Sequence, residues 1–182
     1  MTRSKTKIVN AFLFLINQKS IFQITSGEII KQAGIAKGTY YHNFHTKMDI
    51  LRYYESNLTH AIVDSFITRY RKLGKPELTS DVFIDIFADA VIPIIYENRD
   101  QVRVLISSDV DEIWSHYLEA HYVRVLKKLF PEDKDFNLLL FIKYVHLIVS
   151  YWISSLIPMD QRDFKKKLKN SLNSQVIEML KK

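Results

Sequence analysis

Residues 25–47 read TSGEIIKQAGIAKGTYYHNFHTK. Two short helical patterns lie within them, Ser26–Ala33 and Lys37–Asn43, separated at Gly34. Glycine takes the positive φ that ends one helix and turns the chain into the next. Ile29 and Ile35 supply an apolar anchor on either side. The spacing predicts a helix–turn–helix, a unit whose second helix lies in the DNA major groove, which is wide enough to admit it. That helix carries Lys37, Gly38, Thr39, Tyr40, Tyr41 and His42, a donor-rich surface without acids. Gly38 and Thr39 are small enough for the helix N-terminus, with its free N–H groups, to approach bases and phosphates closely. A plain αα-hairpin has the same outline. The chemistry of the second helix is what favours DNA.

The charge distribution around this motif agrees with a polyanion partner. The chain has 182 residues and a net charge of +6, from 26 Lys+Arg and 20 Asp+Glu. Residues 1–50 hold seven Lys/Arg and two acids, for +5, and residues 161–182 hold the same numbers, again for +5. The 110 residues between them hold twelve Lys/Arg and sixteen acids, for −4. A basic head of about fifty residues points to nucleic acid. There is no cysteine, which excludes disulfide scaffolds, thiolate zinc sites and Cys nucleophiles. The short apolar run at residues 11–16 lacks a signal-peptide cleavage pattern, so a cytoplasmic protein is expected.

Apolar spacing is helical nearly everywhere, and strand signals are absent, so the fold class read here is all-α with about nine helices. Ile8, Ala11, Phe12, Leu15 and Ile16 mark a first amphipathic helix. Ile50, Leu51, Tyr54, Leu58, Ile62, Phe66, Tyr70 and Leu73 mark a helix over about 46–73, with Thr46 as its N-cap. It ends at the turn signal Gly74-Lys75-Pro76. This divides the chain into a three-helix DNA-binding domain, 1–47, and a helical ligand-binding and dimerisation domain, 48–182, joined by the long helix. Thr79 or Ser80 is expected to cap the next helix, which runs to about Asn98 and is kinked at Pro93. A short helix follows near 100–106. Ser108 is expected to cap a helix through Trp114, Leu118 and Val125 that ends at Pro131. Asp133 or Asp135 opens another that stops before Pro158, and Asp160 caps a last helix striped by Phe164, Leu168, Leu172, Val176 and Leu180.

Residues 136–157 are apolar around most of the helix, but Lys143 and His146 near their centre argue against a membrane span. Such a helix is buried on both sides. Its second face is expected to meet another copy of the chain, which makes the protein a homodimer.

The run from Thr25 to Leu51 resembles the DNA-binding domain of TetR-family transcriptional regulators. Their pattern runs Thr…Ile-Ala…Ala-Gly-Val-Ser-x-Gly-Thr-Leu-Tyr-x-His-Phe-x-Ser-Lys-x-x-Leu-Leu. Thr25, Ile29, Ala33, Gly34, Gly38, Thr39, Tyr41, Phe44, Lys47 and Leu51 match it without a gap. The resemblance implies a homodimer that binds double-stranded DNA at an inverted-repeat operator and represses until a small-molecule effector releases it. By position it implies Lys37, Gly38, Thr39 and His42 facing bases or the groove, Ser26, Tyr41 and Lys47 holding phosphates, and Thr25 capping the second helix. Three positions depart from the pattern. Ala36 replaces a Ser-type cap and loses about 1 kcal/mol of capping; Ile30 replaces a small residue between the helices; Gly27 stands where a longer side chain is usual.

The later residues are rich in aromatics, and a bundle of this kind encloses either a solid core or a pocket for a small hydrophobic or aromatic effector. Phe87, Trp114, Tyr117, His121 and Tyr144 are the candidate lining. If the bundle is solid, a protein partner is the alternative to a small molecule. His42 and His45, three apart, lack a third ligand nearby, so no metal is expected. No phosphate-binding glycine loop, Ser-His-Asp order or paired-carboxylate spacing asks for an enzyme or a cofactor.

Overall fold

The structure, a computed structural model, describes residues 2–76, 80–129, 135–155 and 159–171. Its helices are α1 (Arg3–Ile16), α2 (Ser26–Ala33), α3 (Lys37–Asn43), α4 (Lys47–Lys72), α5 (Ser80–Ile86), α6 (Ile92–Glu97), α7 (Arg99–Ile106), α8 (Asp111–Leu129), α9 (Asp135–Ser154) and α10 (Gln161–Ser171). A 3-10 turn at Ile21–Gln23 separates α1 from α2, and a π-helical turn at Phe87–Val91 joins α5 to α6. No strand occurs among the described residues. Counted as one interrupted helix, 80–97 leaves nine among the described residues.

The first three helices and the start of α4 close around one apolar centre. Ile8 and Phe12 of α1, Ile21, Ile29 of α2, Tyr40 of α3, and Ile50 and Leu51 of α4 are fully buried together. At about 1.5–3 kcal/mol for each large apolar side chain removed from water, these contacts hold helices that are too short to be stable alone. Every apolar position that marked the first helix is buried. Tyr40 belongs to this core and not to the donor-rich surface expected of it: it sits four residues before the equally buried Phe44 and so shares its face.

Helix α4 carries the chain from this head into the remaining helices. Thr46 caps it: its Oγ1 accepts from Asp49 N at 3.2 Å, and Asp49 Oδ2 accepts from Thr46 N at 2.8 Å. The far end stops at Gly74, with φ 78°, where Lys75 N donates back to Tyr70 O at 3.1 Å. Leu73, expected on the buried stripe, is exposed because the helix has already ended at Lys72.

Pro93 shapes the next segment as a widened turn. It has no N–H to give Asp89 O, and the chain answers with a π-helical register in which Ile92 N donates to Phe87 O. Ala90 O is taken up by Ser65 Oγ of α4 at 2.8 Å, which ties the irregular turn to the connecting helix. Ser108 does not cap α8. Its hydroxyl donates back to Leu105 O at 3.1 Å, and α8 begins at Asp111. Asp160 does cap α10, accepting from Arg162 N at 2.8 Å. Helix α10 is fixed by Phe164, whose ring stacks on Trp152 of α9 at 4.0 Å between centroids. Thr79, Pro131, Asp133, Pro158, Leu172, Val176 and Leu180 lie outside the described residues.

Candidate nucleic-acid interface and ligand cavity

Helix α2 begins in a closed capping box. Thr25 Oγ1 accepts from Glu28 N at 3.3 Å, and Glu28 Oε2 accepts from Thr25 N at 2.9 Å. Lys19 Nζ donates to the other Glu28 oxygen at 2.5 Å. That ammonium contact, followed by the Thr25 bonds, holds the Glu28 carboxyl down at about 2. Helix α2 ends at Gly34 with φ 59°, and Ile35 N reaches back to Ile30 O at 3.3 Å. The turn is therefore a left-handed cap, and it aims α3 outward.

The two faces of α3 divide sharply. Tyr40 is buried inward, while Lys37, Gly38, Tyr41 and His42 are exposed and Thr39 is half-buried. The Lys37 ammonium lies 6.0 Å from the Tyr41 ring centroid. Asn43 Nδ2 donates to Thr39 O at 2.7 Å and closes the last turn. Ala36 supplies no side-chain cap, so the first-turn N–H groups of α3 lack one local acceptor. A Cβ built at Gly38 would meet nothing within 4 Å. Nothing in the protein's own packing requires glycine there, although glycine costs a helix about 1 kcal/mol relative to alanine. Ser26, half-buried, stands in the first turn of α2.

Lys47 does more than present a charge. Its Nζ donates to Phe22 O at 3.3 Å and Ile24 O at 3.0 Å, gripping the turn between α1 and α2. The same turn is held from the other side by Asp109, which lies between α7 and α8. Asp109 Oδ1 accepts from Ile21 N at 3.1 Å and its Oδ2 accepts from the Ser20 hydroxyl. Asp109 is thus a joint between the head and the rest of the chain. Reading by local motif missed it because its partners stand 88 and 89 residues away.

A cavity of about 140 Å³ opens among α4 to α9. Leu58, Ile62 and Phe66 of α4, Phe87 of the π turn, Trp114, Leu118 and Tyr122 of α8, and Ile142 and His146 of α9 are among its walls. Of the five residues singled out from sequence, Phe87 and Trp114 line it, and Tyr117, His121 and Tyr144 are not among its walls. His121 instead sets its ring against His60 of α4, 5.7 Å between centroids. Tyr122 and His146, outside that set of five, stand one and two residues after His121 and Tyr144 on the same two helices. Their signal was apolar neighbours three and four residues away, Leu118 and Leu126 for Tyr122, Ile142 and Val149 for His146. Burial, outweighing the pull of Asp111 and Glu119, lowers the His146 pKa. Burial likewise raises that of Tyr122. Lys143 turns away and pairs with Glu119 of α8 at 2.6 Å. Among the described residues no helix is long and apolar enough to cross a membrane, and no cluster of three or more acidic or histidine side chains is arranged to hold a metal.

No family model matches the sequence. No curated protein matches it either. Solved structures do match the fold. A TetR/AcrR-family transcriptional regulator from Aquifex aeolicus VF5 superposes with a TM-score of 0.63 at 17% identity, covering 93% of this chain and 97% of that one. A TetR-family regulator from Syntrophomonas wolfei gives a TM-score of 0.68 at 16% identity, covering 96% and 95%. A TetR regulator from Streptococcus agalactiae 2603V gives 0.60 at 18%, covering 93% of each. The chain has the all-α fold of TetR/AcrR-type transcriptional regulators over nearly its whole length.

Proposed function

We propose that this chain is a sequence-specific DNA-binding regulator of transcription, a homodimeric repressor released from an inverted-repeat operator by a small molecule. The observation that carries the reading is α3: a helix projected by a glycine turn, with Lys37, Gly38, Tyr41 and His42 outward and no acid among them. Lys37, Gly38, Thr39 and His42 then read bases or the groove. Ser26, Tyr41 and Lys47 hold phosphates, and Thr25 keeps the α2 terminus in place. The two Lys47 hydrogen bonds leave one ammonium proton for a phosphate. The open space beside Gly38 supports a partner that comes close to the helix backbone. Division into a head, 1–47, and an effector and dimerisation domain, 48–182, accompanies this reading.

Dimerisation is supported by α9, where Leu140, Leu147 and Tyr151 are exposed at spacings of seven and four residues and form one apolar face. The apolar cavity supports a small effector over a protein partner, since a partner needs no interior space.

Selection from random duplexes tests the reading. An inverted repeat should emerge, with half-sites about one helical turn apart to suit two α3 helices about 34–36 Å apart. Thr39→Ala should change preference at one or two base pairs, and Lys47→Ala should weaken binding to all sequences alike. Binding that is only salt-sensitive and indifferent to sequence would sink the proposal.

A further inference from the structure

Buried side-chain polar atoms without a hydrogen-bond partner gather at one junction of the described residues: the Tyr54 hydroxyl and both Glu55 carboxylate oxygens of α4, and Nε1 of Trp114 on α8. Glu55 is 1% exposed with both carboxylate oxygens unpartnered, and Thr59 is fully buried. The Tyr54 hydroxyl and the Trp114 Nε1 are equally without partners, and their rings lie 6.3 Å apart between centroids. A native core carries only a few such groups, because each forfeits hydrogen bonds it made in water. A carboxyl is the most costly of them.

These residues adjoin the head-proximal end of the cavity without all belonging to its walls. Trp114 is one of its walls, and so is Leu58, three residues after Glu55 on α4. That separation is about 4.5 Å of helix rise, less than one turn, so Glu55 continues this face of α4 toward the head, beyond the lining residues. Thr59, one turn on from Glu55, faces Tyr122, another wall residue. The cavity is thus apolar over nearly all of its walls, and the buried Glu55 carboxyl lies just beyond its head-proximal end, seven residues before the wall residue Ile62 and so on the same face of α4. The charged group acting on Glu55 is Arg52, whose own side chain is exposed.

We propose that this end of the cavity is an amine subsite: the ligand is a compact aromatic or branched aliphatic amine whose ammonium donates to Glu55 while its apolar body fills the cavity. The proposal rests on the reading of that cavity as an effector site. An ammonium supplies both the counter-charge and the N–H donors that Glu55 lacks. A cavity of about 140 Å³ is close to the roughly 150 Å³ that accommodates benzene, which sets the body at about one six-membered ring. Burial raises the Glu55 pKa to about 7, and an adjacent ammonium would favour its charged form.

Calorimetric titration of the full chain with 2-phenylethylamine and its neutral isostere 2-phenylethanol tests this. The amine should bind at least about tenfold more tightly, and Glu55→Gln should reduce the amine to the level of the alcohol. Equal affinity for amine and alcohol, an unchanged amine affinity in Glu55→Gln, or no amine binding would overturn it. Should the variant fail to fold, the wild-type comparison of the two probes decides the matter alone. Amine preference without DNA release would leave the subsite standing and remove the effector reading. DNA release by the alcohol as readily as by the amine would do the reverse.

Discussion

At the scale of single residues, Glu55 carries the clearest pH dependence. Burial lifts its pKa from 4.5 to about 7, so the folded state holds this proton more tightly than the unfolded chain does. The resulting stability is fully present below about 4.5 and is lost as pH rises from there to about 7. Glu55→Gln removes the loss. Denaturant melts should therefore show wild type falling relative to Glu55→Gln by about 3 kcal/mol between pH 4 and pH 8. Parallel curves would show that the carboxyl finds solvent or a partner. Burial of this kind is not legible residue by residue: Glu55 and Tyr40 both have the composition of surface positions, and only the helix face they occupy places them inside. The Thr25 capping box, in contrast, was available from the spacing Thr25-x-x-Glu28 alone.

At the scale of elements, caps and breakers were legible because they act over three or four residues. Thr46 caps α4 and Gly34 ends α2 for reasons contained in the local chain. Ala36 is the exception among these termini, since α3 starts with no side-chain acceptor. Ala36→Ser should stabilise the protein by about 0.5–1 kcal/mol and raise its melting temperature by about 2–4 °C. No change in a thermal melt would show that the Ala36 site cannot present the hydroxyl to α3. Pro93 announced an interruption, yet its form depended on Ser65 of a distant helix accepting the role of donor to Ala90 O. Ser108 misled because a serine before a helical pattern can turn its hydroxyl backward as easily as forward.

At the scale of the whole molecule, Asp109 is the polar joint between the head and the helices that enclose the cavity. Its bonds lie near the surface and are worth about 1 kcal/mol after solvent competition. Asp109→Ala should speed amide hydrogen exchange at residues 21–23 by about fivefold and leave α9 unaffected. Uniform acceleration across the chain would mean that Asp109 supports global stability instead.

Sequence by itself determined the helical class, the turn at Gly34, the outward chemistry of α3 and the long connecting helix, because periodicity, glycine conformation and capping are properties of neighbouring residues. Tertiary structure alone decided which aromatics line the cavity, that Lys47 grips a backbone turn, that Asp109 spans the chain and that Glu55 is left without a partner. Each of those depends on the angle at which distant helices meet. Side-chain burial changes with every 100° step along a helix, and no local pattern contains that angle.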